Sequence, residues 1–308
     1  MKIPSKVYPY RLPYMGSKQN IAYSLMLAML QKKPKAKYFF DIFGGGAAMS
    51  LMASQFGLKV FYTEKNAGIV NLLNFLKDNK IPKEWVRWIT RDEFKQCVGK
   101  DDPFSVFVTV VWSFGNNRQA YLFGKDIEEL KRLAFEVIVN RDFDSLEKLK
   151  KHTGVPLKMP AQAKLHDRRL DFHRQIQSFK GFHRGIECLI NMQALTQLEC
   201  CSRLAACERL QQLEYLQQLE YPVDEVIIYC DPPYRGTAEY TDKDFNPQEF
   251  DEWVRKLKYD VFISEYDTPF EKIASFGKMS LLNNSKDKKP VISENLYYHK
   301  AERTNENN

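Results

Sequence analysis

No apolar run among the 308 residues reaches the roughly 18 that span a bilayer, and the opening segment MKIPSKVYPY lacks the apolar stretch of a secretion signal. A cytoplasmic protein with no membrane partner is expected. The six cysteines, Cys97, Cys188, Cys200, Cys201, Cys207 and Cys230, include no CxxC pair and do not alternate with the five histidines in a metal-like spacing. Neither a disulfide framework nor a metal site is expected, and the thiols read as small reduced hydrophobes. No Lys-Ser or Lys-Thr follows the turn Gly44-Gly45-Gly46, and its spacing departs from GxGxxG, which disfavours a nucleoside triphosphate.

What is present is an ordinary globular composition, 44% hydrophobic and 28% charged, enough for one large domain or a core plus an insertion. The net charge of +7 favours a polyanionic partner without establishing one. KYFFDIF, residues 37–43, reads as a short buried strand followed by the glycine turn and the helix-like AAMSLMASQFG. A second strand, LKVFYTE, ends in Glu64 and leads into IVNLLNFLKD. This β-α series predicts a parallel sheet, which binds ligands at its carboxyl end. VIIYC and YDVFISEY resume the strand pattern later.

The region from Ile81 to Gly185 has another texture, with Trp85, Trp88, SFGNNRQAYLFG and the basic, aromatic run HDRRLDFHRQIQSFKGFHR. It reads as an insertion (81–185) in a discontinuous core (1–80 and 186–308). From Ile186 to Leu219 every third residue is apolar or Cys. Such a row drifts about 60° per step around an α-helix and alternates faces in a strand. A small solenoid is one reading; a long, partly buried helix is the favoured one.

Asp231-Pro232-Pro233-Tyr234 is the strongest local signal, because it directly follows VIIYC and so lies at the sheet's carboxyl edge. The prolines remove backbone donors and fix φ, leaving the Asp231 carboxylate and the Pro232 carbonyl as rigid acceptors facing one small volume. A planar NH2 group suits that volume, with the Tyr234 ring stacking on the attached base. The plainer alternative is a rigid strand-end turn carrying a surface tyrosine. In FDIFGGGAA, glycines between strand and helix let backbone approach a ligand closely. Glu64 stands where a carboxylate accepts both ribose hydroxyls, or else caps a helix. Lys18, in Pro13-Tyr14-Met15-Gly16-Ser17-Lys18 ahead of a helix, opposes the helix dipole and so implies an anionic partner, unless it is merely solvated.

In this order, the motifs resemble those of the Dam-like DNA N6-adenine methyltransferases of the phage-type branch. The resemblance covers roughly residues 10–75 and 222–300. It implies an α/β, Rossmann-like methyltransferase core with an inserted, largely helical target-recognition region. S-Adenosyl-L-methionine is the implied cofactor and S-adenosylhomocysteine the product. Tyr14, Lys18, Asp41, Phe43, Gly44, Gly46, Glu64 and Asp231 would hold the cofactor. Asp231, Pro232, Pro233 and Tyr234 match the catalytic D/N-P-P-Y/F. Many relatives carry Asp where this chain has Glu64.

The implied partner is double-stranded DNA, in the cytoplasm of a bacterial or phage-infected cell. Arg168, Arg169, Arg174, Lys180 and Arg184 are candidates for phosphate contacts, against the alternative of a solvated charged face. No Pro-Cys pair occurs, which disfavours cytosine C5 methylation. Cytosine N4, RNA or glutamine methylation, and a non-enzymatic DNA-binding role, stay as alternatives.

Overall fold

The computed structural model describes residues 3–179, 186–215, 220–235, 245–279 and 291–302. The chain divides into two compact units, one formed by Met1–Tyr10, Ser17–Asn66 and Glu208–Asn308, the other by Arg11–Gly16 and Ala67–Cys207.

The first unit is α/β. Its strands are β1 (Tyr38–Asp41), β2 (Lys59–Tyr62), β3 (Glu214–Tyr215), β4 (Val226–Cys230), β5 (Val261–Glu265), β6 (Glu271–Met279) and β7 (Val291–His299), in one sheet of order β3-β2-β1-β4-β5-β7-β6. β3, β2, β1, β4 and β5 run parallel, whereas β7 is antiparallel to both β5 and β6. Every residue of VIIYC and VFISE is buried, as expected where helices cover both faces of a parallel sheet. Helices α1 (Ala22–Lys32), α2 (Ala48–Gln55) and α10 (Pro247–Lys256) belong to this unit. Phe40, Phe61, Ile228, Val261, Ile263, Phe250 and Val254 form one core cluster. The chain goes from β1 outward to β2 and then returns to the other side of β1 as β4. The order therefore reverses between β1 and β4, and in open α/β sheets the crevice at such a reversal is where ligands bind.

The second unit is largely helical: α3 (Ala67–Asp78), α4 (Arg91–Cys97), α5 (Pro103–Val111), α6 (Glu128–Asn140), α7 (Phe143–Thr153), α8 (Leu165–Ser178) and α9 (Gln193–Ala205). Three of its helices start on explicit caps, with Thr90 and Glu93 forming a capping box on α4 and Asp102 and Asp142 capping α5 and α7. Trp88 stacks on Phe123 with centroids 5.6 Å apart and meets Trp112 edge-on at 4.9 Å, while Trp85 stacks on Phe75. Of the two tryptophans that mark the insertion in sequence, Trp88 is buried in an aromatic cluster and Trp85 is half-buried in a second one. The unit is wider than residues 81–185, because α3 and α9 both pack on α5.

The period-three segment is neither one long helix nor, among the described residues, a stack of strands. A 3-10 turn (Glu187–Ile190), α9 and a second 3-10 turn (Glu208–Gln212) succeed one another. A 3-10 helix has three residues per turn, so a period of three holds one face there. Within α9 the same row drifts, and burial follows it around the helix through Ala194, Leu195, Gln197, Leu198, Glu199, Cys201 and Leu204. Leu216 and Leu219 lie outside the described residues. No helix among the described residues is long and apolar enough to cross a membrane.

Candidate active site

Four adjacent parallel strands each bring an acid to the carboxyl edge of the sheet. Asp41 ends β1, Glu64 lies two residues beyond β2, Asp231 directly follows β4, and Glu265 ends β5. The two central members, Asp41 and Asp231, flank the reversal point.

The glycine turn is held from several sides. Asp41 Oδ2 accepts from the Ser50 backbone N–H at 3.0 Å and from the Ser50 hydroxyl at 2.6 Å. Ser50 is the third residue of α2, whose own preceding residue, Ala47, provides no side-chain cap. The strand-end carboxylate therefore caps the helix across the turn. Burial, partly offset by the Ser50 bonds and reinforced by Asp231, pushes the Asp41 carboxyl up to about 7. Glu64 Oε2 accepts the Gly45 N–H at 2.8 Å, its Oε1 accepts that of Asn66, and the Tyr62 hydroxyl donates to the Gly45 carbonyl at 2.7 Å. Gly45 has φ +47°, in the left-handed region. Phe43 packs edge-on against Phe245 and Phe250, and Gly44 and Gly46 are buried.

At the centre, Lys18 Nζ lies 2.6 Å from Asp231 Oδ1, 3.4 Å from Glu294 Oε1 and 4.8 Å from the Tyr234 ring centroid. Lys18 is buried, and burial alone would lower its pKa. Asp231 and Glu294 outweigh that, leaving the ammonium with a raised pKa. The anionic partner anticipated for Lys18 is a site acid. The Tyr234 hydroxyl donates to Glu294 Oε1, and the Tyr266 ring meets the Tyr234 ring edge-on at 4.6 Å. Tyr234 is thus fixed at its tip and its flank. Pro232 is buried and Pro233 half-buried beside it. Glu265 accepts the backbone N–H groups of Arg235 and Tyr266, which ties the end of β5 to the residue that follows the DPPY turn. Burial pushes its carboxyl up to about 7.

Glu265 and Glu294 are absent from the sequence-derived site. Glu265 had a usable signal: VFISE ends in an acid as LKVFYTE does, at the same edge. Glu294 had none, since it sits on the antiparallel β7 and reaches the site only through sheet pairing.

The remaining described candidates belong to the other unit. Tyr14 is half-buried and groups with the helical unit. On α8, Arg169 forms a two-pronged pair with Glu199 at 2.6 and 3.1 Å, and Arg168 donates to the Val139 carbonyl at 3.0 Å. Arg174 is exposed. Lys180 and Arg184 lie outside the described residues. Among the described residues, no group of three or more His, Cys, Asp or Glu side chains is arranged to hold a metal ion. No protein-family model matches the chain, and no curated protein matches it.

Proposed function

We propose that this chain is an S-adenosyl-L-methionine-dependent DNA methyltransferase acting on the N6 amine of a flipped-out adenine in double-stranded DNA. One observation carries the reading. Asp231, at the carboxyl end of β4 and beside the sheet's reversal point, faces a buried cation next to the Tyr234 ring. An acceptor that already binds one N–H donor beside an aromatic face suits an aromatic amine.

The residues present suit the cofactor chemically. Glu64 and Asp231 stand at the sheet's carboxyl edge beside Asp41 and Glu265, whose carboxyls, raised to about 7, are part-ionised at neutral pH, and the negative charge left after Lys18 pairs with Asp231 favours a sulfonium cation. Glu64 keeps lone pairs for ribose hydroxyls while it latches the glycine turn. The cofactor, when bound, supplies an electrophilic methyl group carried on sulfur.

The protein's task is to aim a poor nucleophile. The adenine amine delocalises its lone pair into the ring, so accepting both N–H hydrogens, at Asp231 and at the Pro232 carbonyl, favours a more pyramidal nitrogen held in line. The Asp231 carboxylate stabilises the positive charge that develops there and accepts the proton that the methylated nitrogen sheds. Pro233 keeps the turn rigid. Base flipping costs a few kcal/mol, and stacking on Tyr234 offsets part of it. Arg174, with Lys180 and Arg184 further along, is left for phosphate contacts, because Arg168 and Arg169 are committed within the fold.

Transfer of labelled methyl from S-adenosylmethionine to unmethylated genomic DNA, followed by nucleoside analysis, tests the proposal. Label in N6-methyladenosine, lost in Asp231→Ala, supports it. Label in N4-methylcytosine would correct the base while keeping the mechanism. No label in DNA would overturn it.

A further inference from the structure

The arrangement of Lys18 carries one step more, resting on the reading of this site as one that receives an amine. Its ammonium makes the two interactions that a target amine needs there, a short bond to Asp231 Oδ1 at 2.6 Å and an approach to the Tyr234 ring at 4.8 Å. Lys18 therefore occupies the amine's place. For a base to enter, the ammonium must leave Asp231, and its side chain is only 4% exposed. A buried ammonium released without a new anion would bear the full cost of desolvation.

A second anion is in place. Glu294 on β7 has Oε1 3.4 Å from Lys18 Nζ, just beyond ordinary hydrogen-bond length, and it is fully buried. Its Oε2 is buried with no hydrogen-bond partner among the described residues, which is unusual for a carboxyl oxygen inside a protein. The groups facing Glu294 are Lys18 from the segment before α1, and Asp231, Tyr234 and Tyr229 from β4 and the turn after it.

We propose that Glu294 is a positioning residue that serves as a second seat for Lys18. The ammonium rests on Asp231 in the empty site and swings onto Glu294 when the target amine takes Asp231. The unused oxygen of Glu294 is then the acceptor kept for the displaced cation. Burial, countered by Lys18 and reinforced by repulsion from Asp231, holds the Glu294 carboxyl up at about 7. The seat is strongest once that carboxyl has ionised, so base entry gains with pH through that range.

Two measurements test this, and one is independent of activity. In a crystal structure of the Asp231→Asn protein, Lys18 Nζ is expected within hydrogen-bond distance of Glu294, engaging Oε2. An ammonium that stays on residue 231 or turns to solvent overturns the second seat. In methyl transfer to DNA, Glu294→Gln is expected to lower kcat/KM about tenfold or more and to reduce the rise near pH 7, leaving whatever part Asp41 and Glu265 contribute. In a Lys18→Met background the same change is expected to cost nothing further, because no ammonium remains to be moved. Losses that multiply, or a pH profile in Glu294→Gln identical to that of wild type, overturn the proposal. If Lys18 reseats in Asp231→Asn but the wild type transfers no methyl, the functional reading fails and the seat stands. If methyl is transferred and Lys18 does not move, the reverse holds.

Discussion

The ring of Tyr62 fills the space that a side chain on Gly44 would need: a β-carbon there would lie 2.1 Å from Tyr62 Cε2 and 3.0 Å from the Thr63 carbonyl oxygen. The ring cannot easily retreat, since it is buried and its hydroxyl holds the Gly45 carbonyl. Gly44→Ala is expected to destabilise the protein by about 1–3 kcal/mol through overpacking. Tyr62→Phe, which loses only the hydroxyl bond, is expected to cost about 1 kcal/mol. Urea unfolding measures both, and a Gly44→Ala protein as stable as wild type would show that the ring yields freely.

Asp41, Glu265 and Glu294 all have carboxyls raised to about 7, chiefly by burial. Raised carboxyls bind protons more tightly in the folded state, so the stability they contribute is complete below about pH 4 and is lost as pH rises to about 7. Lowered carboxylates such as Glu93 and Asp102 have made their contribution by pH 5. His299, lowered by burial and by Arg255, works in the opposite direction. The difference between Asp41→Asn and wild type isolates one group. The variant, which keeps an acceptor for Ser50, is expected to gain on wild type as pH rises from 5 to 7.5. A pH-independent difference would refute the assignment.

Tyr234 has separable parts. Tyr234→Phe keeps the ring and loses the bond to Glu294, whereas Tyr234→Ala also loses the stacking face. Base–aromatic stacking is worth about 1–3 kcal/mol. Under the proposed function, Tyr234→Ala is therefore expected to weaken capture of a flipped base by about that much more than Tyr234→Phe. Fluorescence of 2-aminopurine at the target position reports it, and equal losses would remove stacking from the account.

Arg169 and Arg174 share a helix and are expected to respond oppositely. Arg169 is paired two-pronged with Glu199, whose side chain is 8% exposed. Its replacement by Ala is expected to cost about 1–3 kcal/mol of stability, allowing for the partial exposure of Arg169 itself. Arg174→Ala is expected to leave the melting temperature unchanged and to reduce the slope of log K against log salt for DNA by about one. The reverse pattern would exchange their roles.

The sequence by itself determined the four apolar parallel strands β1, β2, β4 and β5 and the edge where their acids gather. Apolar runs such as VIIYC and VFISE can be buried on both faces only in a covered parallel sheet, and an acid directly after such a run must fall at its carboxyl end. That logic located Glu64 and Asp231 and extends to Glu265, whereas Asp41, inside the run read as a strand, came only from the resemblance. It also marked Lys18 as a cation in need of an anion. Only the tertiary structure decided which anion. Lys18 and Asp231 are 213 positions apart, and Glu294 joins them from an antiparallel strand whose pairing no local pattern announces. The same limit applies to the basic run on α8. A row of arginines in sequence carries no information about Glu199 or the Val139 carbonyl, which consume two of them, because burial and pairing depend on what the fold packs against each side chain.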